Sequence, residues 1–203
     1  MPATATVSEL PRVAAPSADE LVARAKAIVP ELKRLSVIAE QQRRLTKEGV
    51  ALMKEKPLGR VLQPRMCSGY AMSMRSHVDV IAAIAEGCSA TAWVFGVGHA
   101  HSWMMGHFPP EAQKEVYGGN PDALIAAVIG PRGRGVKRPD GSVLLNGVWP
   151  FASGCEVADW LFFGSEIFNE AGEKIDEADL LVHPSQVEIK DDWYVAGLQG
   201  TGS

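Results

Sequence analysis

The apolar residues of this chain change their period near Leu124, and that switch constrains the fold more than any other feature. Ahead of it they recur every three to four residues, as on one face of a helix. Behind it, short apolar runs are separated by turn residues, as in strands. Helices first and strands second is the α+β layout, in which each layer needs its own apolar face. The expectation is a flexible Ala/Pro/Thr/Ser-rich tail at residues 1–17, a helical domain at 18–119 and a mostly antiparallel β domain at 120–203.

Ser17 with Glu20 three positions on is a capping box for a first helix through Leu21, Val22, Ala25 and Ile28, which Pro30 closes or kinks. From Ser36 onward, Val37, Ile38, Leu45, Val50, Leu52 and Met53 mix with Glu40, Arg43, Arg44, Lys47 and Glu48. That mixture reads as a second amphipathic helix with a solvated charged face. Residues 57–70 form a loop containing Pro64, Gly69 and Tyr70, and residues 72–86 form the next helix. Gly87 breaks it, and Ser89 or Thr91 starts a helix carrying Trp93, Val94, Phe95, Val97, Trp103, Met104 and Met105. Apolar nearly all round, that helix is expected to be buried. His99 and His101, two apart on it, face different ways and make a poor pair for one metal ion. Pro109-Pro110 ends the helix, and a short one over 111–117 stops at Gly118-Gly119.

In the second half, a compact strand at 124–129 leads into Gly130-Pro131-Arg132-Gly133-Arg134-Gly135, a glycine-rich basic loop. Such a loop suits an anion contact or is simply a solvated turn; no Lys-Ser/Thr follows to make it a P-loop. Pro139-Asp140-Gly141-Ser142 is a turn, Val143-Leu144-Leu145 a short strand and Asn146-Gly147 a second turn signal. Then comes Trp149-Pro150-Phe151-Ala152-Ser153-Gly154. Pro150 has no amide donor, so this segment does not continue as a central ladder strand. Its end offers backbone amides and one small hydroxyl to a flat ligand, or it is a core hairpin ending in a turn. Further strands are expected at 158–168, 180–183 and 187–190, before a glycine-rich close at 197–203.

A net charge of −4 argues against nucleic acid as a main partner. No apolar run approaches the ~18 residues that cross a membrane. The first residues lack the basic start and apolar stretch of a signal peptide. Cys67, Cys88 and Cys155 are odd in number and far apart, which suggests neither a disulfide framework nor a zinc site, and so a reducing cytoplasm.

The run Trp149 to Gly154, with Gly200-Thr201-Gly202-Ser203, resembles the flavin-facing segments of the oxygenase components of two-component flavin-dependent monooxygenases. The 4-hydroxyphenylacetate hydroxylases and steroid-phenol hydroxylases are of this kind, built on the acyl-CoA dehydrogenase fold. The resemblance implies a helical domain followed by an antiparallel β-barrel-like domain. It also implies reduced FMN or FAD from a separate flavin reductase, O2 as co-substrate and an aromatic, phenolic substrate. Homo-oligomers, tetramers in the family, are implied as well. Flavin contacts would come from Trp149, Phe151, Ala152, Ser153, Gly202 and Ser203, with Ser153 near flavin N5. Trp93 with His101 eight positions on matches the family's substrate-pocket pattern, so His101 would contact the phenol, with Tyr70 at the mouth. The family's C-terminal helical bundle is missing from the match, so the 203 residues are expected to bind flavin poorly alone and to expose an apolar surface around Trp93 and Trp103. An acyl-CoA dehydrogenase relative, or a non-catalytic remnant or assembly module, are the alternatives.

Overall fold

The computed structural model describes residues 14–203. The expected tail at 1–17 therefore lies largely outside the described residues. The first helix, α1 (Ala18–Gln42), is capped by Ser17, whose hydroxyl accepts from the Glu20 N–H at 3.1 Å. Pro30 neither closes nor divides it. Leu21, Ala25, Ile28, Leu32, Leu35 and Ala39 form one buried stripe that runs past the proline. Pro30 and Lys26, whose carbonyl loses its helical donor, both face solvent, where water can replace the lost bond. Each buried leucine or isoleucine contributes about 1.5–3 kcal/mol, so the stripe outweighs one lost bond.

The expected helix from Ser36 to Met53 is instead broken at Arg43, which is left-handed (φ 57°) and returns its N–H to the carbonyls of Ala39 and Glu40. Thr46 then caps α2 (Lys47–Glu55), accepting from the Gly49 N–H. The loop that follows holds two short 3-10 turns, Leu58–Arg60 and Arg65–Cys67. Ser73 caps α3 (Met74–Ala85), and the Cys88 thiol caps α4 (Ser89–Met105). Between them Gly87 sits so close to α1 that a side chain would meet the Val29 carbonyl and Leu32. The close approach lets α1, α3 and α4 share one core. Pro110 opens the short α5 (Pro110–Tyr117).

α4 is not buried all round. Ala92, Val94, Phe95, His99, His101 and Met105 face the core, while Trp93 (48% exposed), Ala100, Trp103 (55%) and His107 line the opposite side. Among the described residues, neighbours cover only one face of this helix.

The sheet has the order β2-β1-β3-β4. It is mixed, which corrects the antiparallel expectation: β1 (Ile125–Lys137) pairs antiparallel with β2 (Val143–Gly147) but parallel with β3 (Trp160–Phe168). β4 (Lys174–Val182) returns antiparallel on β3. The parallel pair arises because the chain, after the β1–β2 hairpin, crosses through residues 148–159 and re-enters the sheet at the end where β1 began.

The glycine-rich basic segment is not a loop. It is the second half of β1, resumed after a bulge between Val128 and Gly133. A side chain at Gly133 would collide with the Trp149 indole and the Ser165 hydroxyl, and one at Gly147 with Gly133 and the same indole. The glycines clear a bed for Trp149, which stacks on Phe163 with ring centroids 4.2 Å apart and donates to the Gly164 carbonyl at 3.0 Å. Arg134 lies over the Phe168 ring at 3.6 Å, so it is engaged by the sheet itself. Asn146-Gly147 ends β2 and makes no tight turn of its own; the hairpin turn is at Arg138–Ser142, with Gly141 at φ 86°. No strand forms at 187–190. Pro184 opens a 3-10 turn (Pro184–Gln186), and the chain leaves the sheet to lie along the end of α1.

Candidate functional site

The segment after Trp149 leaves the sheet and turns sharply. Phe151 is left-handed (φ 66°) and so is Gly154 (φ 80°). A side chain at Gly154 would strike Val94, so the segment reaches the flank of α4 only because this position is glycine. Between the two turns lies Ser153, whose hydroxyl accepts from the Trp93 indole N–H at 3.1 Å. The serine's own proton has no acceptor among the described residues. Phe151 is 71% exposed, and its ring meets Trp193 edge-on at 6.0 Å.

The two ends of the β half come together here. The Gly154 N–H is shared between the carbonyls of Thr201 and Gly202, both at 3.0 Å. Residues 199–203 sit between α1 and α4, where a side chain at Gly200 would press on Ala39 and Ala90. Gly202 has a positive φ of 60°, and the Ser203 hydroxyl is buried with no hydrogen-bond partner among the described residues. Ala152 is buried in the sheet cluster with Phe163. Thus Trp93, Ser153 and the 200–203 segment converge.

His101 lies elsewhere on α4. Eight residues from Trp93, it is about 12 Å away along the helix axis. Its Nδ1–H donates to the Ile125 carbonyl at 2.8 Å, which fixes the tautomer and leaves Nε2 as an acceptor without a partner among the described residues. Burial lowers its pKa, only partly opposed by that carbonyl, so the ring is neutral near pH 7. Tyr70 is buried in the helical core cluster beside α1, with its hydroxyl toward Arg24. Neither residue contacts Ser153.

Sequence reasoning missed two clusters. His99 is fully buried: its Nε2–H donates to the Leu58 carbonyl at 2.7 Å, and its Nδ1 accepts from His77 Nδ1 at 2.9 Å. The second corrects the solvated-face reading of α1's end, because Arg43 and Arg44 engage Glu156 and Asp191 far along the chain. Adjacent arginines just past a helix were the signal available, and it is a weak one.

No protein-family model matches the chain. The oxygenase subunit HsaA of a flavin-dependent monooxygenase from Mycobacterium tuberculosis is 34% identical over 186 residues, which is 92% of this chain and 47% of that protein. The crystal structure of that monooxygenase superposes with a TM-score of 0.85, over 93% of this chain and 51% of the other. This chain is a homologue of part of such oxygenase components. The oxygenase component of p-hydroxyphenylacetate 3-hydroxylase from Acinetobacter baumannii agrees, at 33% identity over 87% of this chain and 41% of that protein. So does XiaF from Streptomyces sp., solved with FADH2 and glycerol, at 26% identity and a TM-score of 0.87 over 92% of this chain and 47% of that one. The chain spans about half the length of the curated relatives it matches. Its helices and mixed sheet are those of this monooxygenase fold. No helix among the described residues is long and apolar enough to cross a membrane.

Proposed function

We propose that this chain acts as the oxygenase component, or part of it, of a two-component flavin-dependent monooxygenase that hydroxylates a phenolic substrate with O2. The helical part at 18–119 and the β part at 120–203 serve as its two domains. A flavin reductase supplies reduced FMN or FAD, and the oxygenase works as a homo-oligomer in a reducing cytoplasm, where its three buried thiols stay free.

The observation that carries this reading is the Ser153 hydroxyl. Held by the Trp93 indole, it keeps both a proton to donate and a lone pair to accept with. That fits either face of flavin nitrogen chemistry, a ring N–H or a ring nitrogen lone pair. Trp149, Phe151, Ala152, Gly202 and Ser203 would hold the ring beside Ser153. Bound there, reduced flavin supplies the oxygen chemistry. The chain's own residues orient it and exclude water, for which the apolar flank of Trp93 and Phe151 is suited. His101, neutral and with Nε2 free, would accept a hydrogen bond from the phenol.

The test is anaerobic titration with reduced FMN and reduced FAD, followed by oxygen, a phenol and a reductase. It is run on the chain and on a chimera in which it replaces the matching half of the Mycobacterium subunit. The chimera is expected to bind reduced flavin and yield hydroxylated phenol. Ser153→Ala is expected to divert turnover to peroxide, lowering the product-to-peroxide ratio about ten-fold for one lost hydrogen bond. A folded chimera that binds neither reduced flavin would refute the reading.

A further inference from the structure

The Arg43–Arg44 cluster stands beside the site without a part in the reading above. Arg43 Nη2 lies 2.7 Å from Asp191 Oδ1, its Nη1 donates to the Trp193 carbonyl at 3.2 Å, and its guanidinium covers the Tyr194 ring at 3.9 Å. Arg44 reaches the same Asp191 oxygen at 3.4 Å and Glu156 Oε1 at 2.9 Å. Glu156 sits on the turn Cys155–Val157, directly after Ser153-Gly154. Its other oxygen is buried, without a hydrogen bond among the described residues, against Gly202, where a side chain would run into it.

These contacts close a circuit. The end of α1 holds the strap of residues 191–203. The strap's Thr201 and Gly202 carbonyls hold the Gly154 N–H, and Ser153 next to it meets Trp93. The turn so held is strained, with Phe151 at φ 66° as a non-glycine residue. Such a conformation persists only where its surroundings over-determine it. Exposed ion pairs taken singly contribute little, but here two arginines share one carboxylate and the Glu156 side chain is only 15% exposed.

We propose that Glu156 and Asp191, acting through Arg43 and Arg44, are positioning residues that fix the Ser153 hydroxyl on the Trp93 indole. The proposed function supplies the reason why that placement matters; the geometry is independent of it.

The full chain labelled with 15N carries five tryptophan indole N–H groups, and Trp93→Phe identifies the signal at issue. Glu156→Ala and Arg44→Ala should shift the Trp93 indole signal and speed its solvent exchange about ten-fold, as for loss of one charge-assisted contact. Arg44→Lys should restore most of the protection. Lys174→Met, whose partners Glu166 and Glu177 lie on β3 and β4, should leave the signal unchanged. If Glu156→Ala fails to fold, Glu156→Gln carries the test, since it keeps the shape and removes the charge. An unmoved Trp93 signal in folded Glu156→Gln and Arg44→Ala overturns the proposal. Absence of reduced-flavin binding by the wild-type chimera overturns the functional reading instead and leaves the indole result standing.

Discussion

Acid should destabilise this chain through one buried histidine, His99. His99 has no exposed surface. Leu58 takes its Nε2–H, so Nδ1 must accept from His77, and a second proton on His99 would break that bond inside the core. Burial is the main cause lowering its pKa from 6.5 to about 3; the Leu58 carbonyl opposes the shift and His77 adds to it. The sign follows from the order of protonation. The unfolded chain takes up the proton near pH 6.5 while the folded chain refuses it. The stabilisation is therefore complete above that pH and is lost as pH falls toward 3. Between pH 7 and pH 5 the unfolded state gains about 2 kcal/mol from this one group, at about 1.4 kcal/mol for each pH unit below 6.5. For a chain of this size that lowers Tm by roughly 4–8 °C. Urea unfolding at pH 7, 6 and 5, in wild type and in His99→Gln, isolates the effect, because glutamine can still donate to Leu58 but does not titrate. Wild type should lose about 2 kcal/mol more than the variant over that interval. Equal losses in the two proteins, at equal dependence on urea, would refute the reasoning.

Three further outcomes are expected. His101→Ala in the chimera should raise KM for the phenol about ten-fold or more while leaving reduced-flavin affinity unchanged, as steady-state kinetics and anaerobic titration would show. Asp122→Ala removes the carboxylate paired with Arg60, both side chains mostly buried, and should cost about 3–5 kcal/mol in urea unfolding because the guanidinium is left without its partner. Gly133→Ala should cost about 1–3 kcal/mol and change the near-ultraviolet circular dichroism, since its methyl group displaces the Trp149 indole from Phe163.

What the sequence made legible was local. Ser17, Gly87 and the Pro109-Pro110 pair act on neighbours within a few residues, and the helix ends they mark stand where the sequence puts them, although the Glu20 carboxylate turns to Arg24 and does not complete a capping box. The errors share another cause. Pro30 reads as a stop only if the lost bond faces the core, and the sequence does not say that Lys26 and Pro30 face water. Gly133 and Gly135 read as a loop because glycine weakens a strand. At Gly133 the space is taken by a tryptophan that follows a hairpin later, and at Gly135 by Ile167 and Val143. The parallel pairing of β1 with β3 depends on a crossing segment that holds, among the described residues, no helix or strand beyond the short 3-10 turn Cys155–Val157. The site shows the same division. Trp149 to Gly154 and Gly200 to Ser203 stood out as separate motifs, but their junction is a pair of backbone hydrogen bonds from Gly154, which leaves no compositional trace. Ser153 and Trp93 are sixty positions apart, and only the fold makes one the hydrogen-bond partner of the other. The charged residues show the limit most sharply. Glu40, Arg43, Arg44 and Glu48 look alike along the chain, yet Glu48 pairs with Arg34 at the surface while Arg43 and Arg44 hold the strap behind Ser153. The difference lies in the break of α1 at Arg43, whose left-handed backbone turns both guanidinium groups out of the helical register and toward Asp191.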